Sequence, residues 1–168
     1  MQLQTLDDLF KEQIGDLYSA EKQLTEALPK MAAAASNDKL QQAFEHHLGD
    51  THDHVRRLEE IFGQAGIPIE AKTCAAMQGL IREGQEVITA QGDPAVRDAG
   101  LIGAAQRVEH YEIAAYGTAR TLADQLGFDD AKDLLDQTLD DESNADKLLT
   151  KIATGGMLKS GINQKAAR

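Results

Sequence analysis

The sequence predicts an all-α protein, a four-helix bundle with one long crossover that carries an additional shorter helix. Three observations predict it. The composition is rich in Ala, Leu, Asp, Glu, Gln and Lys, has no Trp, and places Pro only at Pro29, Pro68 and Pro94, which favours helix and leaves few breaks. No alternating run rich in Val, Ile and Thr competes as a strand. Turn signals cut the 168 residues into two long helical segments, a middle connection, and two more long helical segments. Short turns make sequential helices antiparallel, and the long middle connection lets the two inner helices run parallel, the ferritin-like arrangement.

The first helix is expected to start after Thr5, an N-cap followed by Asp7 and Asp8 in the first turn, and to run to about Ala35 with a kink at Pro29. Ser36-Asn37-Asp38 reads as a turn and N-cap. The second helix spans about Lys39 to Gln64, stopped by Ala65-Gly66 and Ile67-Pro68. The crossover helix spans about 70–90, with Cys74, Met77, Ile81 and Ile88 as its apolar stripe. Gln91-Gly92-Asp93-Pro94 closes it. Asp93 then caps the fourth helix, Pro94 sits in its first turn, and Gly127 ends it. The fifth begins at Asp129 or Asp130 and runs to about Thr154, where Gly155-Gly156 stops it. The bundle domain is therefore 1–154, and 155–168 is expected as a flexible tail.

The bulk numbers exclude several functions. A formal net charge of −11 argues against a nucleic-acid partner or an anionic membrane surface. No apolar run approaches the roughly 18 residues that span a bilayer. The opening MQLQTLDDLFKEQ has early acids and no apolar stretch, unlike a signal peptide. Cys74 is the single cysteine, which fits a reducing compartment. The expectation is a soluble cytoplasmic protein.

Each long helix has an inward stripe spaced by threes and fours, and each stripe is broken by acid. The first reads Phe10, Ile14, Leu17, Glu21, Leu24, Leu28 and Met31. The second reads Leu40, Ala43, His47, Asp50, His54, Leu58 and Ile61. The fourth reads Ile102, Ala105, Glu109, Glu112, Tyr116, Ala119 and Ala123. The fifth reads Phe128, Ala131, Leu135, Thr138, Glu142, Ala145, Leu149 and Ile152, with Asp146 one turn after Glu142. Every break lies near the middle of its helix, and packed side by side the midpoints share one level. A buried carboxylate is costly unless it is paired, protonated or bound to a metal. Carboxylates and imidazoles at this density suit a pair of first-row ions, Fe or Mn, up to two per chain. The candidate ligands are Glu21, Asp50, His54, Glu109, Glu112, Glu142 and Asp146, with His47 added. A hydrogen-bonded polar layer without metal is the competing reading. Tyr116, Cys74 and Met77 read as packing, and His46, His52 and His110 as surface. If the stripe of the crossover helix is not buried on the bundle, it is the candidate dimer surface.

The segments YSAEKQL (18–24) and the ALPKMA after it, AFEHHL (43–48), the Cys74-Ala-Ala-Met77-Gln-Gly-Leu-Ile run, VEHYEIAAYGT (108–118), LADQLG (122–127) and the Glu142…Asp146 pair resemble the YciE/YciF stress-protein family of ferritin-like proteins, closer to its YciF branch. The resemblance covers about residues 4–154, in order and at matching spacing. It implies a rubrerythrin-like homodimer of the bacterial cytoplasm linked to stress responses, and the doubled Glu109-x-x-Glu112 is similar to the rubrerythrin helix with two glutamates. Where that family is expected to read His-Leu-Glu-Glu-Thr, this chain reads His47-Leu48-Gly49-Asp50-Thr51. Gly49 removes an acid and weakens the helix by about 1 kcal/mol relative to Ala, and Asp50 is one methylene shorter than Glu. The expected function is a di-iron or di-manganese site reacting with oxygen or peroxide, with oxidase, peroxidase or catalase-like activity. The alternative is a metal-free, non-enzymatic stress protein acting as a structural or partner-binding homodimer.

Overall fold

The computed structural model describes residues 3–70, 72–156 and 159–167. Four long helices dominate: α1 Leu6–Ala34, α2 Asp38–Gln64, α4 Pro94–Leu126 and α5 Asp129–Thr154, with α3 Ala75–Thr89 in the crossover. The local signals act as expected at most ends. Thr5 accepts from Asp8 N–H while the Asp8 carboxylate accepts from Thr5 N–H, each at 3.0 Å, a reciprocal cap. Asn37 caps α2, Asp93 caps α4 with Pro94 in its first turn, and Gly127 ends α4 at φ 72°, a conformation that a side chain disfavours. The α1 helix continues through Pro29 to Ala34.

The crossover helix starts later than expected, at Ala75 rather than near 70; Ala71 lies outside the described residues. The preceding segment is pinned to α1 instead. The Cys74 N–H donates to the Ser19 hydroxyl at 2.8 Å, and the Lys72 ammonium reaches Glu12 and Asp16. Cys74 is thus the N-cap of α3, and its side chain is buried with Met77 in the core, as its place in the stripe predicts. The stripe itself is covered. Met77 is buried, and Leu80, Ile81, Val87 and Ile88, each partly buried, pack against the bundle core.

The helices pack in a ring, α1 against α2 and α4, and α5 against α2 and α4, with α3 lying on α1 and α4. Two apolar clusters give the directions. One joins the C-terminal half of α1 (Leu24, Leu28) to the starts of α2 (Leu40, Phe44) and α4 (Leu101, Ala105) and the end of α5 (Leu149). The other joins the start of α1 (Phe10, Ile14) to the ends of α2 (Leu58, Ile61) and α4 (Ala119, Ala123) and the start of α5 (Ala131, Leu135). The inner helices α2 and α4 therefore run parallel. What lies between the two clusters on all four helices is polar.

The C-terminal segment is folded in its described part, not frayed. Gly155–Gly156 (β1) pairs antiparallel with Lys159–Ser160 (β2), and a short helix α6, Ile162–Ala166, packs on α4 and α5. Ile162 is buried in the first apolar cluster. The return is tight. A Cβ on Gly161 would stand 2.2 Å from the Ala153 carbonyl oxygen. Among the described residues no helix is long and apolar enough to cross a membrane.

Candidate metal centre

The polar level is a closed cluster of Glu21 from α1, His47 and His54 from α2, Glu109 and Glu112 from α4, and Glu142 from α5, all buried. Each helix delivers its side chains by the heptad-like spacing of its stripe. On α2, His47 and His54 are two turns apart on one face; on α4, Glu109 and Glu112 share a face one turn apart. The donors fall into two groups that a metal ion could occupy, His47 with Glu109, Glu112 and Glu142, and Glu21 with His54 and Glu142. Glu142 belongs to both. Its Oε1 stands 3.0 Å from His54 Nδ1, and its Oε2 stands 3.5 Å from His47 Nε2. His47 Nε2 is also 3.5 Å from Glu109 Oε1, and His54 Nδ1 is 3.3 Å from Glu21 Oε1.

Two candidate ligands lie elsewhere. The Asp50 side chain is 35% exposed and faces His46 at 3.8 Å. The reason is register. The buried stripe of α2 runs Leu40, Phe44, His47, Thr51, His54, Leu58 and Ile61, so Phe44 and Thr51 take the places expected for Ala43 and Asp50. Turning Phe44 inward buries more apolar surface than Ala43 does, and it carries Asp50 to the rim. Asp146 is 22% exposed, 3.4 Å from His110, and accepts from Gln106 Nε2 at 2.9 Å. It sits on the outer seam of α4 and α5. His46, His52 and His110 are exposed, as expected.

Electrostatics in the cluster follow from burial. Burial, then the Glu142 charge, holds Glu109 and Glu112 well above the usual carboxylate range. Burial also raises Glu21, against the pull of His54. Burial opposes the His54 imidazolium, but the facing Glu142 and Glu21 overcome it and raise His54 to about 10. Burial likewise opposes Glu142 ionisation, and His54 and His47 reverse it. Without an ion, Glu142 faces the His54 imidazolium, and Glu109 and Glu112 are pushed towards their neutral forms, because like charges this close cannot all ionise.

That arrangement leaves much unmet. Both nitrogens of His47 and of His54, both oxygens of Glu112 and of Glu142, Glu21 Oε2 and Glu109 Oε2 make no aligned hydrogen bond to protein. Buried polar atoms rarely stay unpartnered, and cations with nitrogen and oxygen preference would satisfy these donors together. These buried His and Glu groups could hold a metal ion.

Three supporting residues were not legible as site members. Tyr116, expected as packing, donates its hydroxyl to Glu21 Oε1 at 2.5 Å. Asp141 Oδ2 lies 3.4 Å from His54 Nε2, the nitrogen turned away from the cluster. Arg57 Nη1 donates to that Asp141 oxygen at 2.7 Å and to Thr138 Oγ1 at 3.1 Å. Asp141 directly precedes Glu142, and Arg57 is three residues after His54. Both look like surface charge in sequence, and only the α2/α5 contact joins them.

The chain is 47% identical over 165 residues to protein YciF of Escherichia coli (strain K12), covering 98% of this chain and 99% of that one. The crystal structure of the E. coli stress protein YciF superimposes with a TM-score of 0.87 at 49% identity, over 89% of this chain and 94% of that one. YcfI from Rhodopseudomonas palustris gives a TM-score of 0.87 at 39% identity, over 90% of this chain and 97% of that one. With 47% identity to YciF and with residues 5–167 matching the family described as "Domain of unknown function (DUF892)", the chain belongs to that family.

Proposed function

We propose that the protein holds two first-row transition ions, iron or manganese, in the centre of its bundle and uses them against oxygen or peroxide. The observation that carries the reading is the shared Glu142, whose two oxygens face two separate donor groups, so that it could serve both positions. His47, Glu109 and Glu112 would complete one position, and Glu21 and His54 the other. When bound, such a pair would supply redox chemistry, giving electrons from the reduced ions to oxygen or peroxide, or cycling to disproportionate peroxide.

The chain does the rest. The Tyr116 hydroxyl holds Glu21 in one orientation, and Asp141, held by Arg57, fixes the His54 ring so that Nδ1 points at the cluster. Two apolar clusters close the layer above and below. A purely hydrogen-bonded layer is the weaker reading, because Tyr116 to Glu21 is the one aligned hydrogen bond made there among the described residues.

The test is elemental. Chain stripped with chelator, reloaded with Fe(II) or Mn(II) and desalted should hold up to two ions, and Glu142→Gln should lose at least one of them. Loaded wild type should consume oxygen or peroxide faster than Glu142→Gln. Wild type that retains no ion leaves only the polar layer.

A further inference from the structure

The six cluster residues are not equally closed off. Glu21, His54, Glu112 and Glu142 are 0% exposed, while Glu109 is 2% and His47 is 6% exposed. Solvent approaches the layer from the His47 side. There a cavity of about 330 Å³ opens between α2 and α5, with His47 and Glu109 at its floor and His46, Asp50, Asp141 and Leu148 around it. Both nitrogens of His47 and Oε2 of Glu109 are unpartnered. A water occupies roughly 30 Å³ of liquid, so six waters about an ion need roughly 180 Å³, and a hydrated divalent cation fits.

We propose that this cleft is the port through which divalent cations reach the centre, with Asp50 as the residue that gathers them. The proposal rests on the reading of the centre as a metal site. At the mouth, Asp141 is held by Arg57. Asp50 faces only the exposed His46 among its ion-pair partners, so it keeps its charge free for an arriving cation. Donors then follow one another inward, from His46 and Asp50 at the surface to His47 and Glu109 at the floor. This gives Asp50 a role that its place outside the cluster denies it as a ligand. The chain's net charge of −11 adds a field that concentrates cations at such a mouth.

The experiment follows Co(II) association with the chelator-stripped full chain by stopped-flow visible absorption, with final stoichiometry from elemental analysis. Leu148→Trp, at a residue 40% exposed at the rim, narrows the mouth. Asp50→Lys reverses its charge. Each should slow association about tenfold while leaving final stoichiometry unchanged, and the slowing in Asp50→Lys should shrink in high salt. Val96→Trp, on an exposed residue outside this cleft, should load at the wild-type rate. Wild-type rates in Leu148→Trp or Asp50→Lys, or equal slowing in Val96→Trp, overturn the port. A wild-type chain that takes up no Co(II), Fe(II) or Mn(II) overturns the metal reading itself.

Discussion

Glu109 shows how one side chain carries opposite energetic signs. In the metal-free fold its carboxyl is held well above the usual range by burial and by Glu142. A raised folded-state value for an acid means stability that is present below the unfolded value and lost as pH rises through the folded one. Glu112 has the same sign, so the metal-free layer favours acid. In chelator, Glu109→Gln should therefore be near neutral at about pH 4, below the unfolded value, and should raise Tm increasingly towards about pH 8. With Fe(II) or Mn(II) bound, the same substitution removes a ligand and lowers Tm, because ions that bind only the folded state stabilise it. Melting curves in both conditions read the sign, and equal destabilisation in both would make Glu109 a structural hydrogen-bonding residue. Tyr116→Phe frees Glu21 Oε1 from its single donor and should weaken metal affinity by about tenfold, measurable by competition with a chelator.

At the scale of the element, α2 is where expectation and structure part. Spacing by threes and fours is satisfied by Leu40-Ala43-His47-Asp50 and by Leu40-Phe44-His47-Thr51 alike, because both residues of each pair lie within one turn. Packing chooses the second, and Phe44 and Thr51 are buried. The neighbouring Gly49 then faces solvent with nothing within 4 Å of a Cβ built on it. It is a helix-interior glycine with no steric reason. Gly49→Ala should stabilise the protein by about 1 kcal/mol without altering metal stoichiometry, as thermal or denaturant unfolding and elemental analysis would show.

For the whole molecule, the C-terminal return ties α6 to α4 and α5 through Ile162, buried in the apolar cluster away from the start of α1. Burying an Ile side chain contributes about 1.5–3 kcal/mol. Truncation after Thr154 should cost about that much in denaturant unfolding. Gly161→Ala should approach the same loss, because its Cβ would collide with backbone at 2.2 to 2.4 Å. The layer lies between the two clusters, so both variants should still hold the wild-type number of ions.

The four helices, their caps and the level of the acids were legible in the chain, because each rests on local chemistry. Thr5, Asn37, Asp93 and Gly127 act within one turn, and three-to-four periodicity puts Glu21, Glu109, Glu112 and Glu142 on inward faces. What only the tertiary structure decided depends on neighbours far away in sequence. The turn of α2 that brings both His47 and His54 to the layer and leaves Asp50 at its rim is set by how Phe44 packs on the other helices. Asp146 sits four residues from Glu142, and that offset turns it onto the seam with Gln106 and His110. The Asp141–Arg57 brace and the Tyr116–Glu21 bond each join two helices that local propensity cannot relate. The folded C-terminal end was hidden because its polar, glycine-rich composition reads as a tail, while a single Ile162 and one tight turn at Gly161 hold it in place.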